Sequence, residues 1–413
     1  MSPATRLLVL LSAINMLNYL DRYVVPAVAV QLEGAFAMSH AQTGSLMSVF
    51  MVVYMVASPV FGYLGDRFSR PRLIAFGIAL WSLATAGAAL AVGYKSLLLT
   101  RALVGVGEAA YVTLGPAMLA DLFGEKDRAR VFTWFFLAIP VGSALGYGLG
   151  GLVGEALGWR WAFLLAGAPG LFFAWRTARL EDPARGAMDP GPDSGAGLTF
   201  LPRLRIIFTS RVWLAATASY VAYTFAMGAL SWWSPALLQG RYGLAESRAG
   251  MLFGGLAVLT GLLGTLAGGK LTDRLQARWR DAGLWVSGLS LLVAAPVVAM
   301  ALHAPGLHAA AWLYCAGMLL LFVNTSPLNA VIVGAVPPSV RASGVALNVF
   351  FIHLLGDALS PWWVGRRADA FRVAGLSEGH SLARGLELVL PAILLAALAL
   401  WWARHPRGAP AEG

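Results

Sequence analysis

The 413-residue sequence has little charge and almost no cysteine. A single cysteine, Cys315, permits no internal disulfide and no thiolate metal cluster. Flanked by apolar residues, it reads as a small buried side chain. Charged residues make up 12% of the chain, about half of what a water-soluble domain carries. That scarcity excludes a cytosolic enzyme, a disordered protein and a secreted disulfide scaffold. Acidic residues are the rarer sign, 20 against 30 Lys and Arg, for a net charge of +10. The basic residues sit in short connectors between apolar runs and form no contiguous face, so nucleic acid is not an expected partner. The zinc-protease signature H-E-x-x-H is missing too. Residues 146–151 spell G-x-G-x-x-G, but inside an apolar helical run with no strand before them. Residues 264–270 spell G-x-x-x-x-G-K, but Leu271 stands where a phosphate loop needs Ser or Thr. No cofactor and no metal is expected.

What is abundant is apolar length. Hydrophobic residues are 58% of the chain, and mean hydropathy is +0.70. That is about 240 residues at roughly 20 per membrane span, enough for about twelve helices. Runs of spanning length fall near 6–32, 42–64, 73–93, 97–120, 131–153 and 159–178, then near 212–239, 248–271, 284–302, 309–336, 342–364 and 382–403. Between the two sets, 179–211 is rich in Pro, Gly and charge and reads as a cytoplasmic linker. The expected organisation is therefore a six-helix bundle over 1–178, a linker over 179–211 and a second six-helix bundle over 212–413. Ala27-Val28-Ala29 mimics a signal-peptidase site. Asp21-Arg22 interrupts the preceding run, however, so this segment reads as an uncleaved first helix.

Charge placement gives an independent topology. Twenty of the Lys and Arg fall at the termini and in even-numbered connectors, and eight fall in the odd-numbered ones. By the positive-inside rule both termini are expected in the cytoplasm, as an even helix count requires. An internal repeat supports the two halves. Gly62-Tyr63-Leu64-Gly65-Asp66-Arg67-Phe68-Ser69-Arg70 follows the second run, and Gly269-Lys270-Leu271-Thr272-Asp273-Arg274 follows the eighth, half the chain later. Parallel repeats of this kind place a substrate between the halves. Asp66, Arg67, Arg70, Asp273 and Arg274 are candidates for a cytoplasmic gate, with ordinary positive-inside decoration as the plainer reading. The loop resembles the signature of the major facilitator superfamily.

Ionisable residues inside apolar runs cost several kcal/mol unless they are paired or solvated. The first run holds Asp21 and Arg22, with Asn15 and Asn18 on the same stripe; the fourth holds Arg101 and Glu108, two turns apart on one face. At about 1.5 Å of rise per residue these groups lie at overlapping depths and can neutralise one another. They read as a polar transport cavity or as a static salt bridge. Glu108 and Asp21 can carry protons, whereas Arg22 and Arg101 cannot and suit an anionic group on a substrate. His353 and Asp357, four apart on one face, form a candidate proton relay or a polar packing patch. The glycines of the fifth run suit close helix packing.

Asn18-Tyr19-Leu20-Asp21-Arg22 with Arg101-x-x-x-Gly105-x-Gly107-Glu108 resembles both the organic-anion symporters and the Spinster family of the superfamily. Gly107-Glu108-Ala109-Ala110-Tyr111 and His353-Leu354-Leu355-Gly356-Asp357-Ala358-Leu359-Ser360-Pro361 resemble Spinster in particular. The resemblance implies an all-α membrane protein of twelve transmembrane helices in two six-helix bundles, the major facilitator fold. It implies that Asp21, Arg22, Arg101 and Glu108 belong to the coupling and substrate-binding cluster. The expected proton-coupling residues are Glu108, Asp21, His353 and Asp357, and the expected substrate-binding residues are Arg22, Arg101, Asn18 and Tyr111. The expected partners are membrane lipids, protons and a small amphiphilic anion, a lysophospholipid- or sphingoid-phosphate-like lipid. The expected setting is a monomer in a bacterial inner membrane. A small organic-anion symporter and a drug/proton antiporter stay open as alternatives. A receptor or scramblase is a further alternative; the first needs no repeated gate, and the second needs no proton gradient.

Overall fold

A computed structural model describes residues 3–123, 125–184, 200–276, 278–279, 281–337 and 340–403. Among these residues the regular structure is helical, with no strand. Ten helical stretches are long and apolar enough to cross a membrane. By contacts the chain divides into two compact units. One comprises Met1–Gly191, Ser231–Val258 and Pro361–Gly385, and the other Pro192–Leu230, Leu259–Ser360 and Leu386–Gly413.

The first unit contains α1 (Pro3–Ala27), α2 (Ala29–Phe36), α3 (His40–Arg67), α4 (Arg70–Ala88), α5 (Tyr94–Leu122), α6 (Glu125–Leu157) and α7 (Trp159–Ala178). Parts of α9 (Arg211–Tyr242), α10 (Glu246–Gln276), α15 (Ser360–Val373) and α16 (Glu378–Leu386) belong to it as well. Instead of one helix over 6–32, α1 ends at Ala27. Pro26 lies in its last turn and cannot donate to the ladder, so the chain breaks at Val28 before α2 resumes. Ser39 starts α3 with a reciprocal capping box, its hydroxyl accepting from the Gln42 amide while the Gln42 side chain accepts from the Ser39 amide. Inside the unit α1 packs on α6, α3 on α5, and α4 on both α5 and α7. The glycine-rich face of α6 lies against α1: a Cβ at Gly146 would stand 2.5 Å from the Leu20 carbonyl oxygen.

The second unit contains α8 (Phe200–Thr209), α11 (Ala282–Leu302), α12 (Leu307–Val323), α13 (Thr325–Gly334), α14 (Arg341–Ile352), α17 (Val389–Ala403) and the remaining parts of the shared helices. Three features depart from the apolar-run reading. The stretch read as linker ends in a helix, α8. The run 309–336 is two helices, because Pro327 in the first turn of α13 is accommodated by a break at Asn324. The run 342–364 is interrupted by a π-turn at His353–Asp357, and Pro361 follows in the first turn of α15. Single π-turns inserted in α-helices concentrate at functional positions.

Candidate functional site

A buried charged cluster is assembled by three helices of the first unit. Two glycines let α4 and α5 touch backbone to backbone: a Cβ at Gly107 would lie 2.5 Å from the Gly77 carbonyl oxygen and 2.7 Å from the Trp81 amide nitrogen. No larger residue fits that approach, and it sets Glu108 and Arg101 of α5 beside Thr85 of α4. From α1 come Asp21 and Arg22. Arg22 Nη2 donates to Glu108 Oε2 at 2.6 Å. Arg101 Nη1 lies 3.9 Å from Asp21 Oδ1. Thr85 ties the second pair together, its hydroxyl donating to Asp21 Oδ2 at 2.5 Å and accepting from Arg101 Nη2 at 3.4 Å.

Two carboxylates and two guanidiniums thus cancel in charge where water is nearly excluded. Glu108 is 0% exposed, Asp21 1% and Arg101 4%. The polar supply is not exhausted. Glu108 Oε1, Asp21 Oδ1, the Nε atoms of both arginines and both amide atoms of Asn18 are buried without a hydrogen-bond partner. Aromatic rings supply part of what solvent would: the Arg22 guanidinium lies 4.8 Å from the ring centroids of Tyr19 and Phe50, and that of Arg101 lies 5.5 Å from Phe163.

A cavity of about 10 Å³ opens against this cluster. Arg22, Arg101 and Glu108 form its polar side, and Leu46, Phe50 and Trp232 belong to its apolar side. That is about the room one water molecule needs. Any organic solute must therefore widen the site in order to enter it.

The other residues singled out by sequence lie elsewhere. Asn15 donates to the Phe135 carbonyl oxygen at 3.0 Å, holding α1 on α6. Tyr111 is fully buried and donates to the Leu11 carbonyl oxygen at 2.5 Å, away from the cavity lining. His353 Nδ1 stands 3.0 Å from Asp357 Oδ2 on the π-turn of the second unit. Of the candidate gate, Arg70 bonds Asp121 at 2.5 Å, Asp182 at 2.9 Å and the Pro183 carbonyl oxygen at 2.6 Å. All of those partners lie in the same half of the sequence. The Arg67 guanidinium sits 4.1 Å above the Tyr63 ring, and Asp273 and Arg274 are exposed. The Asp66 side chain lies outside the described residues. Sequence reasoning passed over Thr85, a lone hydroxyl between Ala84 and Ala86, and it passed over Glu33, His40 and Glu378. A polar residue within a small-residue stripe was the available signal for Thr85.

The sequence model of the Major Facilitator Superfamily matches residues 11–361. The chain belongs to the major facilitator superfamily. Within that superfamily it is Spinster-like. It is 33% identical over 387 residues to the zebrafish (Danio rerio) protein named sphingosine-1-phosphate transporter SPNS2, covering 88% of this chain and 76% of that one. It is 32% identical over 370 residues to Protein spinster of Drosophila melanogaster, covering 86% of this chain. The chain spans 60% of the length of the Drosophila protein. Its fold matches the crystal structure of a bacterial homologue of the human lysosomal transporter Spinster in an inward-facing, unoccupied conformation. The TM-score is 0.83 at 23% identity, over 98% of this chain and 96% of that one. The homologues of this facilitator are transporters and not enzymes, and the chain is a multi-pass membrane protein.

Proposed function

We propose that this Spinster-like facilitator couples proton movement to transport of an amphiphilic anion, lysophospholipid- or sphingoid-phosphate-like, by alternating access. The observation that carries the reading is the buried pairing of Arg22 with Glu108 and Arg101 with Asp21 beside a cavity with one apolar side. A proton on Glu108 would remove the charge that engages Arg22 and leave the guanidinium for an anionic head group. The apolar side would receive the start of a hydrocarbon chain. The name of the zebrafish relative supports a phosphate-bearing lipid as cargo.

Twelve spans follow if α1 with α2, α12 with α13, α14 with α15, and α16 with α17 each cross once, with α8 lying outside the membrane. In this reading 1–178 and 212–413 are the two moving bundles, 179–211 links them, and both termini are cytoplasmic. A monomer in a bacterial inner membrane completes the proposal. Asp66, Arg67, Arg70, Asp273 and Arg274 then face the cytoplasm as gate residues, and His353 with Asp357 is a second proton-carrying pair.

Binding of a lysophospholipid series of increasing acyl length tests the substrate class. Burying a methylene is worth about 0.8 kcal/mol, so a lipid site gains several-fold affinity for each two carbons until the path is full. Arg101→Ala serves as the head-group control. A flat series, with tight binding of a small hydroxy acid instead, would replace the lipid reading with the organic-anion one.

A further inference from the structure

A second set of titratable groups lies in the first unit, separate from the Asp21 cluster. α3 opens on His40, whose side chain is 0% exposed. Its Nδ1 lies 2.9 Å from Glu33 Oε1 of α2, and its Nε2 lies 2.9 Å from Glu378 Oε1 of α16. Arg372 of α15 reaches the other Glu378 oxygen at 3.3 Å. The Trp233 ring of α9 meets the imidazole edge-on, with centroids 5.3 Å apart. The Asp369 carboxylate of α15 accepts from the backbone amides of His40 and Ala41, both at 2.9 Å. Backbone packing at this corner is equally close, since a Cβ on Gly365 would collide with the His40 carbonyl group.

The donor count decides what this arrangement needs. A neutral imidazole has one N–H, its other nitrogen is an acceptor, and an ionised carboxylate only accepts. With a carboxylate oxygen at each ring nitrogen, the neutral ring sets one lone pair against another. The imidazolium donates through Nδ1 to Glu33 and meets Glu378 as a charge contact at Nε2. Glu33, His40 and Glu378 also offer ligand atoms within 4.8 Å of one another. The two carboxylates flank opposite nitrogens of the ring, however, which suits a bridging proton better than one metal ion bound through a single nitrogen.

We propose that His40 is a further proton-binding site, and that its imidazolium bridges Glu33 to Glu378 and fastens the α2–α3 corner to α15 and α16. Asp369 adds a fastening that does not depend on the ring, because it acts on backbone amides. Proton binding and closure at this corner are linked. With one proton per closure, the open-to-closed ratio rises by up to about tenfold per pH unit through the titration of His40. The site uses none of Asp21, Arg22, Arg101 or Glu108, so it stands or falls apart from the transport reading.

The test uses the full chain in nanodiscs, with Cys315 replaced by Ala and spin-labelled cysteines at the exposed positions Ala35 and Ala374. Distances are recorded from about pH 5 to about pH 9, which brackets histidine titration. The expected result is a longer-distance population that grows several-fold as pH rises. His40→Gln should flatten that response, and it should flatten what remains of it in Glu108→Gln as well. Should His40→Gln not fold, Glu378→Gln is the second variant and should blunt the response likewise. Distances independent of pH in the parent protein would overturn the proposal, and so would an undiminished response in His40→Gln or Glu378→Gln. Loss of the response in Glu108→Gln would assign it to the other cluster. Opening by EDTA at constant pH, reversed by added Zn²⁺, would make this a metal site and overturn the proton assignment.

Discussion

Glu108 accepts a hydrogen bond from Arg22 through Oε2 at 2.6 Å, while its other oxygen, Oε1, is buried with no hydrogen-bond partner. One carboxylate therefore holds a cation on one side and an unfilled acceptor on the other. Arg22 cannot release a proton, so of this pair only Glu108 can change its charge.

Glu108→Gln keeps the shape of the side chain and removes its titration. Gradient-driven uptake into proteoliposomes should be abolished, while substrate binding stays measurable by a ligand-induced rise in thermal stability. Uptake in the variant that still follows an imposed pH gradient would remove Glu108 from the coupling step.

Asp21→Asn leaves Arg101 buried without its counter-charge. Breaking a buried pair by removing one partner costs about 3–5 kcal/mol, so the variant should unfold well below the parent protein in detergent. Asp21→Asn combined with Arg101→Gln should recover part of the loss. Strictly additive losses in that double-mutant cycle would show that the 3.9 Å approach contributes no coupling.

Gly107→Ala tests the backbone contact beneath the cluster. The added methyl group meets the Gly77 carbonyl oxygen at 2.5 Å. Overpacking of this kind costs about 1–3 kcal/mol, and it should also displace Glu108 and slow transport. Gly87→Ala, on α4 with no atom within 4 Å of the new methyl group, is the matched control and should be neutral or slightly stabilising. Equal melting temperatures for the two variants would contradict the close-contact account.

Arg70→Ala removes the ties from α4 to Asp121, Asp182 and the Pro183 carbonyl group. Limited proteolysis near 179–184 should accelerate several-fold. Arg70→Lys should rescue only part of the protection, because an ammonium cannot reproduce the guanidinium fork. Unchanged cleavage would mean that the segment is held by other contacts.

The sequence reveals some of these features and hides others, for physical reasons. Apolar runs announce helices because a bilayer demands them, and Asp21, Arg22, Arg101 and Glu108 stand out because charge inside such runs is rare. The partners are harder to read. Spacing on α5 put Arg101 beside Glu108, whereas the geometry joins Glu108 to Arg22 of α1 and Arg101 to Asp21. Which residues meet across helices depends on the Gly77–Gly107 approach, and no periodicity encodes it. The breaks at Val28 and Asn324 could have been inferred from Pro26 and Pro327. The π-turn at His353–Asp357 has no such marker. His40 was invisible as a site, because its carboxylates come from a short helix beside it and from a segment more than three hundred residues later.

The Gly77–Gly107 contact also has a mechanical meaning. Side chains between helices act as bearings, and where two backbones touch there is nothing to roll over. α4 and α5 consequently behave as one plate, with Thr85, Arg101 and Glu108 fixed to it like marks on a ruler. In the proposed coupling, a proton arriving at that plate would act on α1, which carries Asp21 and Arg22.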